Sequence, residues 1–312
     1  MDSSLSLGED TEVLYRGRIR AGKPGILTEK EFTIRRCKKY DIAFLDDDEP
    51  AVEYESDEYR ETYDGSGEVE AFFASHDWLS VPYLRLLDGI PLRGRVIGDF
   101  GCGAGSFLDL IRGVASTTVG IEPNLRFRET LRQRGHRAYG YAAEFLEDGG
   151  EQSLDIAIAF HVVEHVNDPE TFFREMHKCV RPGGQVCIAT PNLHDIMLQL
   201  GGDRYRKFFF RTAHRWYFSG PGLARLAQEA GFFIRQLGYL QEYDLGNAFS
   251  WLREGRPCGN GSIPYLDQQM LSAWKTSLEA SGTANVTHIL AERVGNQVAG
   301  VVVDDGRRSS ER

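Results

Sequence analysis

VIGDFGCGAGSF, residues Val96 to Phe107, decides how this chain folds. Val96 to Phe100 is a short apolar run with no helical spacing, and glycines follow at 101, 103 and 105. A run of this kind reads as a buried strand of a parallel sheet. Glycine at its end permits a tight turn and lets a ligand approach the backbone. The helix predicted to follow presents free N–H groups to that ligand. The dinucleotide fingerprint places its third glycine at the position Ser106 occupies, so the glycine here comes one place early. About twenty residues on, where that fingerprint carries an acid, Glu122 closes the next predicted strand in "VGIEPN". A carboxylate there can accept both ribose hydroxyls of an adenosine cofactor, NAD or another.

Outward from this turn the pattern alternates. "GSFLDLIRGV" reads as a helix, "TTVGIEP" a strand, "NLRFRETLRQRG" an amphipathic helix, "RAYGY" a strand and "AAEFLEDG" a short helix. "SLDIAIAF" is a buried strand, "DPETFFREMHKCV" a helix and "QVCIATPN" a strand. "GPGLARLAQEAG" is a further helix and "FFIRQLGYL" a strand; a less regular insertion holds the helix "YLDQQMLSAWKTSLEAS", and "VTHILAERV" is the closing strand. Strands alternating with helices predict an α/β fold, a parallel sheet with helices on both faces. Ahead of it, "GEVEAFFASHDWLSVPYLRLL" (67–87) has the spacing of a helix covering that sheet, and "EFTIRRCKKYDIAFL" is the likeliest strand pair near the start.

The chain has 312 residues, 41% of them hydrophobic, enough for a sizeable core. A net charge of −10 argues against a nucleic-acid partner. Five scattered cysteines without a C-x-x-C pair suit free thiols in a reducing compartment. No stretch reads as a secretion signal or a membrane span, and the expected location is cytoplasmic. The composition of "DDGRRSSER" predicts a disordered tail, 305–312. The acidic segment 46–64 carries Tyr54, Tyr59 and Tyr63 and reads as either a solvated connector or a lid.

"VIGDFGCGAGSF", "VGIEPN", "SLDIAIAFHVVEHVNDP" and "VRPGGQVCIATPN", in this order, resemble the successive motifs of class I S-adenosylmethionine (SAM)-dependent methyltransferases. "HRWYFSGPGLARLAQEAGF" resembles the segment before that family's sixth strand. Within the superfamily the chain looks most like the branch of ubiquinone-type, natural-product and sugar methyltransferases. The resemblance implies a Rossmann-like, doubly wound, seven-stranded sheet whose last strand is antiparallel. The methyltransferase domain would span 67–304 with a substrate-side insertion at 240–283. Residues 1–66 would be an extension and lid, a zinc-ribbon-like remnant in which Cys37 alone cannot hold zinc.

The same resemblance assigns the cofactor, SAM, and its contacts. Gly101, Cys102, Gly103 and Gly105 pack against the methionine part, and Asp99 orders that loop or meets the amino group. Glu122 holds the ribose, Pro123 and Asn124 flank the adenosine, and Ala143 and Glu144 meet the adenine. Phe160 and His161 face the methyl group. Apart from the resemblance, the position of the acidic segment just ahead of the covering helix, with tyrosines spaced to share one face, gives the expectation that Tyr59 or Tyr63 touches bound cofactor.

HVVEH, His161 to His165, matches the H-x-x-E-H pattern of one class of zinc peptidase. That motif needs a helix through both histidines, and here the preceding strand denies it one. The reading is that Glu164 and His165 fix a loop beside the cofactor, with no metal. Some relatives with E-x-x-E-H here use it to hold Mg²⁺, and His161 in place of the first acid weakens a site for a hard cation.

Methyl transfer to a hydroxyl needs a base, and His161 and His214 are the candidates. Trp216, Tyr217 and "KFFFR" (207–211) are expected to wall an acceptor pocket for a small metabolite or glycan. The expected function is methyl transfer to oxygen or nitrogen of such an acceptor. The alternatives are a non-catalytic SAM-binding scaffold and an NAD-dependent oxidoreductase, which the early third glycine disfavours.

Overall fold

The computed structural model describes residues 10–47, 52–63, 65–260 and 266–295. The tail at 305–312 and the first nine residues lie outside them. The described chain opens with strands β1 (Thr11–Gly17), β2 (Phe32–Cys37) and β3 (Ile42–Leu45), then helices α1 (Glu58–Tyr63) and α2 (Val69–Leu84). The alternating region follows: β4 (Val96–Phe100), α3 (Ser106–Ile111), β5 (Thr117–Ile121), α4 (Leu125–Gln133), β6 (Arg137–Tyr139), α5 (Ala142–Phe145), β7 (Leu154–Phe160), α6 (Pro169–Cys179) and β8 (Val180–Pro191). Then come α7 (Met197–Leu200), α8 (Gly202–Phe209), β9 (Trp216–Phe218), α9 (Gly220–Glu229), β10 (Phe232–Leu240), α10 (Leu245–Glu254), α11 (Gln268–Ser281) and β11 (Val286–Arg293).

The main sheet has seven strands in the order β10-β11-β8-β7-β4-β5-β6. β4 to β8 run parallel, and β11 lies antiparallel between β8 and β10, as expected. Helix caps follow the sequence: Asn124 accepts from the Phe127 amide at 3.0 Å, and Ser219 from Gly222 at 3.1 Å. α6 buries Phe173, Met176 and Cys179 against the sheet. Burying side chains the size of Phe173 and Met176 stabilises by roughly 1.5–3 kcal/mol each. The chain winds from β4 outward through β5 and β6 on one side and through β7 and β8 on the other. The reversal lies between β4 and β7, and the crevice at their carboxyl ends is where such a sheet binds ligands.

The expected boundary at residue 66 is not a boundary in the structure. β1, β2 and β3 form a second, four-stranded sheet that continues into β9, with Ile42 opposite Phe218 and Phe44 opposite Trp216. One core joins Ile19, Phe32 and Ile34 to Met197, Phe209, Tyr217 and Trp251. The strand pair 31–45 is the β2–β3 hairpin, and its outer edge needs a partner that a free-standing hairpin lacks. The helices α8 and α10 fall where the sequence shows only irregular patterning.

Candidate active site

A cavity of about 1140 Å³ opens over the switch point. At its floor, β4 ends and the chain turns through Gly101 (φ 70), Gly103 (φ 56) and Gly105 (φ 100). Each lies in the left-handed region, and a Cβ on Gly101 would also collide with Val162. The Gly103 amide donates to Glu122 Oε2 at 2.8 Å, and the Asn124 amide to Oε1 at 2.9 Å. A carboxylate has roughly four acceptor sites, so a fixed Glu122 keeps capacity for a diol. Burial pushes its pKa up, against the pull of Arg60 and the two amides. Asp99 is raised well above the carboxylate range, by burial and then by the charge of Glu122. The buried Ser106 hydroxyl lines the cavity with no partner. These groups fit a ligand with a sugar at one end and an ammonium at the other.

Cys102, Pro123, Phe160 and His161 also line the cavity. Asn124 does not; it caps α4 and donates from Nδ2 to Ser56 O at 2.9 Å. Ala143 and Glu144 are exposed on the outer face of α5. Glu144 turns back to accept from the Gly140 amide at 2.8 Å and to pair with Arg128. The cavity wall next to α5 is formed instead by Gly140, Tyr141 and Ala142.

Residues 52–63 cross the cavity as a strap. The rings of Tyr54 and Tyr59 meet with centroids 4.9 Å apart, and both line the cavity. At one end Tyr141 donates to Glu55 Oε1 at 2.9 Å; at the other the Tyr63 and Thr212 hydroxyls bond at 2.5 Å. Tyr63 therefore faces the wall and is not among the lining residues. The strap buries no residue of α1; polar contacts such as Tyr54 to His165 at 2.9 Å and Asn124 to Ser56 hold it, and these open at less cost than a packed apolar core. Binding S-adenosylhomocysteine is expected to slow amide hydrogen exchange across 54–63. Equal exchange with and without it would make the strap a mere connector.

His161 ends β7 with φ 57, a conformation rare outside glycine. Its Nδ1 lies 3.3 Å from Glu164 Oε1 and its Nε2 3.5 Å from Glu242 Oε1. The Tyr83 hydroxyl accepts from Nε2 and donates to Glu242 at 2.8 Å. Asn285 holds the other Glu242 oxygen at 2.7 Å. Burial alone would lower the His161 pKa; Glu164 and Glu242 outweigh it and bring it up to about 10. Tyr83, Glu242 and Asn285 were missed by sequence reading. Glu242 had one local signal, its place just past the carboxyl end of β10.

His214 takes a different place from the one expected. It is buried, does not line the cavity, and has no partner on either ring nitrogen. Burial first, then Arg211, pushes its pKa far down, so it stays neutral. Its ring stands edge-on to His165 at 4.6 Å. Glu164, His165 and His214 each offer one ligand atom within 4.8 Å of one another. His214 thus supplies a third donor to the HVVEH loop that sequence spacing did not reveal. Phe208, Phe209 and Arg211 line the cavity as expected. Trp216 and Tyr217 do not: Trp216 donates to Val166 O at 2.9 Å, and Tyr217 receives the Arg211 amide at 3.0 Å.

Residues 76–237 match the family model described as "Methyltransferase domain", just over half of the chain. The chain belongs to this family. It is 31% identical over 189 residues to the human mitochondrial ubiquinone biosynthesis O-methyltransferase, covering 48% of this chain and 51% of that protein. It is 36% identical over 108 residues to the ubiquinone biosynthesis O-methyltransferase of Rhizobium leguminosarum, covering 33% and 42%. The matches therefore span about half the length of these relatives. A solved SAM-dependent methyltransferase from Archaeoglobus fulgidus superposes with a TM-score of 0.50 at 18% identity, covering 72% of this chain and 97% of that one, and shares the fold. The cofactor of this methyltransferase site is SAM. Glu122, Asp99, Ser106 and the glycine turn are the residues that would hold it: Glu122 offers diol acceptors, and Asp99 and Ser106 offer buried oxygens on the same floor. Among the described residues no helix is long and apolar enough to cross a membrane.

Proposed function

We propose that the protein transfers the methyl group of SAM to a hydroxyl oxygen of a small, free or glycosylated, acceptor. The observation that carries this reading is His161, set on the cavity at the end of β7 between two carboxylates. The names of the relatives, O-methyltransferases, support oxygen over nitrogen. An NAD-dependent oxidoreductase and a non-catalytic scaffold are not favoured.

Bound SAM supplies a methyl group on a sulfonium and leaves as a neutral thioether. What remains for the chain is to place the acceptor, take its proton and exclude water. Nδ1 of His161 faces Glu164, and Nε2, bonded to the Tyr83 hydroxyl on the cavity wall, takes the acceptor's proton through that hydroxyl, which passes its own proton to Nε2 as it receives the acceptor's. Glu164 and Glu242 stabilise the imidazolium that results. Tyr83 orders Nε2 and Glu242 together, and the strap closes the cavity above them.

This reading needs no metal. Zinc accepts the donor set of Glu164, His165 and His214. The Glu164 carboxylate, however, already faces protonated His161 at 3.3 Å and accepts from Thr190 at 2.9 Å. A second cation there meets like charge. Transfer from radiolabelled SAM to a panel of hydroxylated and amine acceptors tests both points. Labelled ether product should form and persist after exhaustive chelation with EDTA. Absence of any product across the panel argues for the scaffold; loss on chelation with rescue by Zn²⁺ makes the three residues ligands.

A further inference from the structure

Two arginines reach the cavity from parts of the chain that are far apart in sequence. Arg20 comes from the N-terminal extension and Arg211 from the loop after α8, and their backbones form a bridge. Arg20 is only 7% exposed. Its guanidinium lies over the Phe208 ring, 4.5 Å from the centroid. Nε of Arg20 and Nε of Arg211 are both buried without a hydrogen-bond partner. Among the described residues neither forms an ion pair. The cavity carboxylates are engaged elsewhere: Asp195 by Tyr205 at 2.5 Å and the Met197 amide at 2.9 Å, Glu242 by Tyr83 and Asn285, Glu164 by Thr190. Glu53 is exposed.

A buried cation beside a second, half-buried one, with no counterion on either, is costly. Burial and the nearby Arg211 already lower the Arg20 pKa to about 9. Proteins pair buried charges unless the partner arrives from outside, and the planar fork of arginine matches carboxylate and phosphate oxygens. We propose that Arg20 and Arg211 form an anion subsite, and that the methyl acceptor carries a carboxylate or a phosphate ester that seats on them. This rests on the methyl-transfer reading of the same cavity. The N-terminal extension then contributes to acceptor binding, because β1 to β3, joined to β9, hold Arg20 against Arg211.

The test is calorimetric titration of protein loaded with S-adenosylhomocysteine, using benzoate, phenyl phosphate and neutral benzamide as probes. Benzoate or phenyl phosphate should bind at least about tenfold more tightly than benzamide, and the tighter of the two names the acid group. Arg20→Met and Arg211→Met should each reduce that preference towards unity while leaving S-adenosylhomocysteine affinity unchanged. Anions that bind no better than benzamide overturn the subsite, as does a preference that survives both substitutions. The first comparison needs no variant, so a substitution that fails to fold leaves the test standing. Anion preference in a protein that does not bind S-adenosylhomocysteine would keep the subsite and remove the methyl-transfer reading. Methyl transfer without anion preference would do the reverse.

Discussion

Replacing His161 with glutamine lowers turnover by about two to four orders of magnitude and leaves SAM affinity nearly intact. The His161 imidazole joins both carboxylates through its ring nitrogens. In the acceptor-free protein it is held charged, up to about 10. A base works only after losing that proton, so turnover should rise with pH along a limb ending at or below about 10. A second positive charge in the loaded cavity moves that limb down. The same shift has a stability consequence of definite sign. His161 has a raised folded pKa, so its contribution is fully present below the unfolded value of about 6.5 and is lost as pH rises through about 10. In His161→Gln both the kinetic limb and this alkaline loss of stability should disappear. A pH–rate profile that keeps its limb in the variant assigns the base elsewhere; Glu242 is then the next group to test.

Glu122→Ala should weaken SAM binding by tens- to hundredfold, on the order of 2–3 kcal/mol. The carboxylate is already fixed by two backbone amides at 2.8 and 2.9 Å, so a ribose diol meets an ordered acceptor. Alanine also strands the Gly103 and Asn124 amides, which loosens the glycine turn. Glu122→Gln separates these effects. It keeps one acceptor oxygen and should fall between the two proteins in calorimetry. Unchanged affinity in Glu122→Ala would take the ribose away from this residue.

The cofactor half of the site was legible because it is written locally. Asp99, Gly101, Gly103 and Gly105 sit within one strand-to-helix turn, and Glu122 at the end of the next strand. Backbone conformation confines those turn positions to glycine, and the parallel sheet brings strand ends to one edge. The error at Ala143 and Glu144 is of the opposite kind. A shift by one or two positions on a short helix turns a side chain from the cavity to solvent, and Glu144 found its own partner in Gly140.

The half of the site proposed for catalysis was legible only in His161. Tyr83 and Glu242 meet across 159 residues of sequence, and no periodicity records that contact. His214 shows how a residue type misleads: a histidine near aromatic residues looks like a base, but burial without a partner leaves it neutral behind the wall.

By itself, the sequence determined the alternating α/β order, the glycine turn, the acid that follows it and hence an adenosine cofactor. Periodicity and glycine's freedom at positive φ are properties of neighbouring residues, so they survive without a fold. Only the tertiary structure decided that residues 11–45 continue a sheet into β9, that His161 is charged between two carboxylates, and that Arg20 stands beside Arg211. Each depends on burial and on charges from distant segments. Electrostatic energies follow distance in space, which the linear order of residues does not contain.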